Sequence, residues 1–365
     1  ALSAALRAAL RATPRGAPKE LATIASLAAI TFAAASIAVD AGFFVWISST
    51  SSRSTAASPL SAQPAGRFAL RGVDPRQGIS ASGGASGDVV RLSISSDPHW
   101  GSPTSDSDGR KAVIRGVASA RPRPDAFLIL GDNVERGMDE EPWLEEAREL
   151  SSLLADMPVV ALMGNHDALV NGEKRFLAMF PAALSSDSGS PLYYAMDAGA
   201  ARVVVLNLLW GTDSFDSAQR AWLEKTLRAT PKGQQVIVLS HCFFYSSGYV
   251  VPDTGMPWYD HFETIPGVTP LFEQGGVDLV ISGHNHYMEL LEKNGVTYAL
   301  VGAMGGLLDP PPDYHSPASL WLGQGILGRL DLEISASGIA LAFRDRDGAS
   351  LREAFLPIGD RSFSP

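Results

Sequence analysis

Residues 88–365 predict an α/β domain in which two mixed β-sheets face each other and helices flank them. Two rhythms carry that expectation. Up to about residue 282, short apolar runs rich in β-branched residues alternate with amphipathic helical patterns, as in strands joined through helices and paired largely in parallel. Beyond that point, alternating runs follow one another through short turns, the pattern of antiparallel hairpins.

Each element follows from its local chemistry. The runs at 89–95 (VVRLSIS), 126–130 (AFLIL), 158–163 (PVVALM), 202–208 (RVVVLNL), 235–239 (QVIVL) and 277–281 (VDLVI) read as buried strands. Helical patterns fall at 109–120, 142–154, 172–180 and 217–229, the last with Ala221, Trp222, Leu223 and Leu227 along a core-facing side. In the tail, 288–300, 328–334, 339–346 and 350–357 read as antiparallel strands. Lys293, Asn294 and Gly295 form one turn between them, and Asp345 to Gly348 another.

Ahead of this domain lie two further regions. Residues 1–47 combine a basic start with a 21–39 stretch free of charge and a second apolar stretch, 42–47. About 20 apolar residues span a bilayer core. The basic flank before the stretch would leave the rest of the chain outside the cytoplasm. A cleaved secretory signal, with small residues near 56–57 or 62–65, reads as well, and so does an organellar transit peptide with Leu2, Leu6 and Leu10 at helical spacing. The expectation is a domain anchored in the membrane by residues 21–47 or secreted, with an organellar location as the alternative. Residues 48–87 are dominated by Ser, Ala, Pro and Gly and read as a linker.

Charge and cysteine content exclude several function classes. The chain carries 29 basic and 39 acidic residues, a formal charge of −10. Eight of the basic groups but only three of the acids lie in residues 1–87, so the domain is strongly acidic and no nucleic-acid partner is expected. Cys242 is the single cysteine, which rules out an intrachain disulfide framework and a thiolate zinc cluster.

The chemistry sits at strand ends. Asp97 and His99 follow the first run, Gly131-Asp132-Asn133 the second, Gly164-Asn165-His166-Asp167 the third, His241 the fifth and Gly283-His284-Asn285-His286 the sixth. Loops at the carboxyl ends of strands converge on sites in α/β sheets. Taken alone, each of these is an ordinary turn. Together they gather five of the chain's seven histidines. A mixed nitrogen and oxygen donor set suits zinc, iron or manganese rather than calcium, and seven donors exceed the needs of one tetrahedral ion. Asp97/His99 and His284/His286 are i, i+2 pairs that in extended backbone point to one side.

This series, Asp97-x-His99, Gly131-Asp132, Gly164-Asn165-His166-Asp167, His241 and Gly283-His284-x-His286, resembles the calcineurin-like metallophosphoesterase superfamily over about residues 88–305. Ser217-x-Gln219-x-x-Trp222-Leu223 is similar to its purple acid phosphatase-like branch. The resemblance implies a four-layer αββα sandwich and two metal ions (Fe, Zn or Mn). Asp97, His99 and His286 would hold the first ion, Asn165, His241 and His284 the second, and Asp132 would bridge them. It also implies a phosphate ester as substrate, a monoester first and a phosphodiester as the alternative, with His166 near the leaving group. Asp167, next in sequence, reads equally as a residue that orients His166 and as a loop-capping Asp. A non-catalytic metal-binding domain that keeps the fold is the reading from another class.

The pattern departs at Glu135, where purple acid phosphatases carry a tyrosine ligand, so neither their colour nor an obligatory ferric ion is expected. The stretch 131–137 (GDNVERG) is nearer the Gly-Asp-x-x-Asp-Arg-Gly form of other branches. Cys242 reads as a small packing residue. Arg136, His261, His315 and Asn165 are candidate substrate contacts, and the Gly/Pro-rich 302–325 segment reads as a loop over the cleft.

Overall fold

A computed structural model describes residues 70–81, 89–154, 157–181, 186, 188–250, 255 and 263–358. The expected anchor or signal in residues 1–47 and the candidate contact His261 lie outside the described residues. Among the described residues, no helix is long and apolar enough to cross a membrane.

The chain runs β1 (Val90–Ser95), α1 (Ser107–Ser119), β2 (Ala126–Ile129), α2 (Glu140–Leu154), β3 (Val159–Ala161), a short α3 (Asn165–Ala168) and α4 (Gly172–Met179). It continues through β4 (Tyr194–Ala198), β5 (Ala201–Val205), α5 (Ser217–Ala229), β6 (Gln235–Ser240), α6 (Thr264–Gly275), β7 (Leu279–Ser282), β8 (Met288–Lys293) and β9 (Val296–Val301). The last strands are β10 (Ser319–Gly323), β11 (Gly328–Ser335), β12 (Gly338–Asp345) and β13 (Ser350–Pro357). They form a six-stranded sheet, β13-β12-β11-β1-β2-β3, and a seven-stranded one, β10-β8-β9-β7-β6-β5-β4. Both are mixed: β1–β2–β3 and β5–β6–β7–β9 pair in parallel, the rest antiparallel.

Strand alternation builds the layers. Leu92, Ile94 and Leu128 from one sheet and Val203, Ile237 and Ile281 from the other share the central core. The opposite faces of the same strands pack outward: Phe127 and Ile129 against Ile114, Trp143 and Phe176 of α1, α2 and α4, and Val204 and Val238 against Leu223 and Phe272 of α5 and α6. Strands apolar on both faces are what an internal sheet requires. The parallel strands are thus divided between two sheets, each completed by part of the antiparallel tail.

Helix ends follow their caps. Asp106 Oδ1 accepts from Gly109 N at 2.8 Å, starting α1 two residues earlier than the apolar pattern suggested. On α5 the core stripe is Gln219, Leu223 and Leu227, spaced by one turn each, while the expected Ala221 is exposed. Residues 70–81, assigned by composition to the linker, pack onto the domain instead. Val159 N donates to Arg71 O at 2.8 Å, Ile79 N to Asp197 O at 2.8 Å, and Ile79 is buried in the central core. Helix α6 and strands β4 and β10 were not expected; Pro266, Gly267 and Pro270 disfavour a helix, and α6 exists because Val268 and Phe272 bury under the seven-stranded sheet.

One buried acid has no place in this packing. Glu146 of α2 is fully buried, and neither carboxylate oxygen makes a hydrogen bond. Burial and then the Asp167 charge raise its pKa well above the usual carboxylate range, against the pull of Arg110. The group therefore stays neutral in the folded chain at pH values where the unfolded chain ionises, so stability falls as pH rises above the ordinary carboxylate range. Glu146→Met is expected to stabilise the fold by about 1–3 kcal/mol at pH 8 and by clearly less at pH 5. Equal gains in thermal melts at the two pH values would refute this account.

Candidate metal centre

Strands β1, β2 and β3 of one sheet and β5, β6 and β7 of the other end at a common cleft, and their following loops are tied together through the backbone. Asp97 N donates to Gly131 O (3.1 Å), His99 N to Asp132 O (3.1 Å) and Trp100 N to Asn133 O (2.9 Å). Two bonds cross from the other sheet, Met304 N to Ser96 O (2.6 Å) and Gly306 N to Asp97 O (2.8 Å). The 302–306 segment therefore lies on the site, as its glycines suggested; 319–323, however, is a strand paired with β8.

The backbone here is held in unfavourable conformations. Asp97 (φ 55°), His99 (47°), Asp132 (47°) and His284 (66°) all occupy the left-handed region, which non-glycine residues rarely adopt. Each such residue costs on the order of 1–3 kcal/mol and persists where its surroundings over-determine it. Glycines make room for the crowding. A Cβ on Gly164 would sit 2.2 Å from Asp132 N, and one on Gly283 would sit 1.9 Å from Ser96 Oγ.

Three groups of side chains bring donor atoms within 4.8 Å of one another: Asp97/His99/His286, Asp132/His241/His284, and between them His99/Asp132/His166. Asp97 Oδ1 and His99 Nε2 are buried, 3.9 Å apart, and make no hydrogen bond. His286 Nε2 is 3.4 Å from the same oxygen, and Asp132 Oδ2 is 3.7 Å from His99 Nε2. In the second group, His241 Nε2 is 3.4 Å from Asp132 Oδ1, 2.9 Å from Asn165 Oδ1 and 3.1 Å from His284 Nδ1. In the first group, buried donors that face one another without hydrogen-bonding fit a cation. All seven residues singled out as ligands lie here.

The outer contacts aim these donors. His241 Nδ1 donates to Leu130 O at 2.8 Å, and His286 Nδ1 donates to Leu307 O, so in each ring Nε2 faces the carboxylates. Such contacts fix a ligand's tautomer. The remaining Asp97 oxygen accepts from His284 N (2.9 Å), and Asp132 Oδ1 from His166 N (2.9 Å).

Electrostatics express the same arrangement. Burial would lower His241, yet Asp132 and Asp97 outweigh it and raise its pKa to about 10. His286, similarly buried, is raised to about 9 by Asp97. Burial would raise Asp132, but His241, His166 and His99 hold it well below the usual carboxylate range; Asp97 is also lowered, against burial, chiefly by His286. Without a cation, protons on the histidines compensate the carboxylates, and a metal must displace them.

His166 faces the same cleft, its ring 4.8 Å from that of His99. Its Nδ1 donates to Glu135 O at 2.7 Å, leaving Nε2 as its free nitrogen. Its pKa is raised against burial by the Asp132 charge and the Glu135 carbonyl.

Of the two readings of Asp167, an orienter of His166 and a loop cap, its contacts match the second. It is fully buried and accepts from Gly164 N (2.8 Å), Asn133 Nδ2 (2.9 Å), Val134 N (2.9 Å) and Asn133 N (3.2 Å). None of these is the His166 ring; Asp167 clamps two ligand loops together. Burial and then the Asp132 charge raise it to about 6.

Of the candidate substrate contacts, Asn165 is in the second group, whereas Arg136 pairs with Asp139 at 2.7 Å and is mostly exposed. His315 is exposed on the 307–316 segment. Cys242 is buried beside Phe243 in the outer core.

The contacts of three residues were not expected. Asp309 accepts from His286 N (2.9 Å) and from the Tyr249 hydroxyl (2.5 Å), tying two loops to the first group. Trp210 sets its ring edge-on to His284 at 5.1 Å. It lies on the loop after β5, and Gln219 holds that loop by accepting from Asn207 N (2.8 Å) and donating to Ser214 O (3.0 Å). Glu135 supplies the third, with its carboxylate 2.9 Å from His99 Nδ1. Gln219 and Glu135 were visible as motif positions, but the partner of each depends on loop packing.

Similarity to known proteins agrees with this geometry. Residues 90–288 match the family model described as calcineurin-like phosphoesterase. Purple acid phosphatase 1 of Ipomoea batatas is 29% identical over 215 residues, 55% of this chain and 43% of that protein. Phosphoenolpyruvate phosphatase of Allium cepa is 27% identical over 194 residues, 50% of this chain and 38% of that protein. The chain thus spans less than half the length of these relatives. The solved purple acid phosphatase from yellow lupin (Lupinus luteus) seeds shares the fold, with a TM-score of 0.62 at 17% identity over 78% of this chain and 55% of that one. With more than half of the chain inside the family match and its ligand-type loops meeting in one cleft, this protein belongs to the calcineurin-like phosphoesterase family.

Proposed function

We propose that the chain is a metal-dependent phosphoric ester hydrolase that holds two cations and acts on phosphate monoesters. The observation that carries the reading is the pair of buried donor groups on either side of Asp132, with Asp97 Oδ1 and His99 Nε2 unpaired. Asp97, His99 and His286 would hold the first ion, Asn165, His241 and His284 the second, and Asp132 both. When bound, the ions supply Lewis acidity to the phosphoryl group and make a nearby water acidic enough to attack it.

The remaining roles belong to the chain itself. The carbonyls of Leu130 and Leu307 keep the His241 and His286 rings turned inward. As the imidazolium, with its Nδ1–H held by Glu135 O, His166 would protonate the departing oxygen from Nε2 and be left neutral. Asp167 keeps the loops of Asp132 and His166 in register through four hydrogen bonds. The names of the relatives, purple acid phosphatase and phosphoenolpyruvate phosphatase, favour a monoester.

The test is metal content together with turnover. Protein reconstituted with zinc, manganese or iron is expected to hold about two ions per chain and to hydrolyse a mono-aryl phosphate faster than a bis-aryl one. Chelation should abolish the rate and reconstitution restore it. Faster bis-aryl hydrolysis would make the protein a phosphodiesterase, and two bound ions with no turnover would make it a non-catalytic metal-binding domain. Fewer than two ions and no turnover would end the enzyme reading altogether.

A further inference from the structure

Glu135 stands three residues after Asp132, and it touches two histidines by two different routes. Its carboxylate Oε2 is 2.9 Å from His99 Nδ1, while its main-chain carbonyl accepts from His166 Nδ1 at 2.7 Å. Because a carboxylate and a carbonyl only accept, both rings carry a proton on Nδ1, and each Nε2 is left for the group around Asp132. The residue is itself tied down, since Glu135 N donates to Trp100 O and Trp100 N to Asn133 O, both at 2.9 Å. The loop bearing His99 and the loop bearing Asp132 are therefore zipped together at Glu135, and Gly137 N returns a further bond to His166 O at 2.9 Å.

We infer that Glu135 is a positioning residue that orients the metal ligand His99 through its side chain and His166 through its main chain, so that the first cation position and the proton-donor position are set by one residue. The inference rests on the function proposed above and adds a division of labour within it. The side-chain half can be removed by substitution, whereas the main-chain half survives any substitution that leaves the loop in place. The side chain of Glu135 is one-third exposed, so truncating it opens no closed cavity. Gln keeps an oxygen that can accept from His99 Nδ1, and Leu keeps bulk without an acceptor.

The experiment uses the full-length chain, stripped of metal, as wild type, Glu135→Gln and Glu135→Leu. Long-range 15N spectra of the histidines are expected to show Nδ1–H on both His99 and His166 in the wild type. Leu should release His99 alone and Gln should restore it. Calorimetric titration with Mn2+ should then show affinity at one of the two positions reduced about 10–100-fold in Glu135→Leu, largely recovered in Glu135→Gln, with the other position unchanged. The inference is overturned if Glu135→Leu leaves both the His99 tautomer and the Mn2+ affinities as in wild type. Equal losses at both positions and in both tautomers also overturn it, because they report a disrupted fold. If wild type binds fewer than two ions, the proposed function fails, while the tautomer spectra still decide whether Glu135 orients His99.

Discussion

Asp132→Asn is expected to lower kcat by about 10²–10³-fold, the scale on which removing one group that stabilises transition-state charge is felt. Asp132 lies between the two donor groups: one oxygen is 3.4 Å from His241 Nε2, the other 3.7 Å from His99 Nε2. An amide retains the shape but removes the charge that would balance the two proposed cations and would offer an –NH2 toward one of them. Metal content should drop from about two ions per chain to one or none, measured on protein reconstituted under the wild-type conditions. The fold should survive, because Asn can still accept the His166 N bond, and metal-free Asp132→Asn should melt within a few degrees of metal-free wild type. Wild-type turnover with two ions retained would remove Asp132 from the bridging position.

The second large effect is at His166. His166→Ala is expected to lower kcat by about 10²–10⁴-fold, the usual contribution of a positioned proton donor, while leaving two ions bound. The loss should be greater for an alkyl phosphate than for a nitrophenyl phosphate, since only the poorer leaving group needs the proton. His166 also lies within ligand distance of His99 and Asp132, which supplies the competing outcome. If His166→Ala loses one ion and slows both substrates equally, His166 is a ligand rather than the acid.

Much of this site was legible because each candidate ligand directly follows an apolar strand, and strand ends in an α/β arrangement must open onto a common edge. Glycine at 131, 164 and 283 marked the tight approaches, and Asn294–Gly295, with φ values of 51° and 79°, marked the β8–β9 hairpin. Other features left no local trace. Helix α6 contains two prolines and is stabilised by burial of Val268 and Phe272. Strands β4 and β10 lie at opposite edges of the seven-stranded sheet and are only five residues each; β4 carries Ala and Asp at its outer positions, and β10 shows little alternation. Residues 70–81 have a linker's composition and are ordered by backbone bonds to Val159 and Asp197.

The amino-acid sequence by itself determined the family, the paired sheets and the seven donors, because donor chemistry and hydrophobic period are properties of residue type and spacing. Only the tertiary structure decided what each donor faces. It chose, for Asp167, the loop clamp over a partner of His166, set Glu135 against His99, brought Asp309 to His286, and gave Arg136 to Asp139. The reason is range. A hydrogen bond within the site needs its partners about 3 Å apart and aligned, and here most partners come from loops separated by tens to hundreds of residues, whose meeting depends on how two sheets stack.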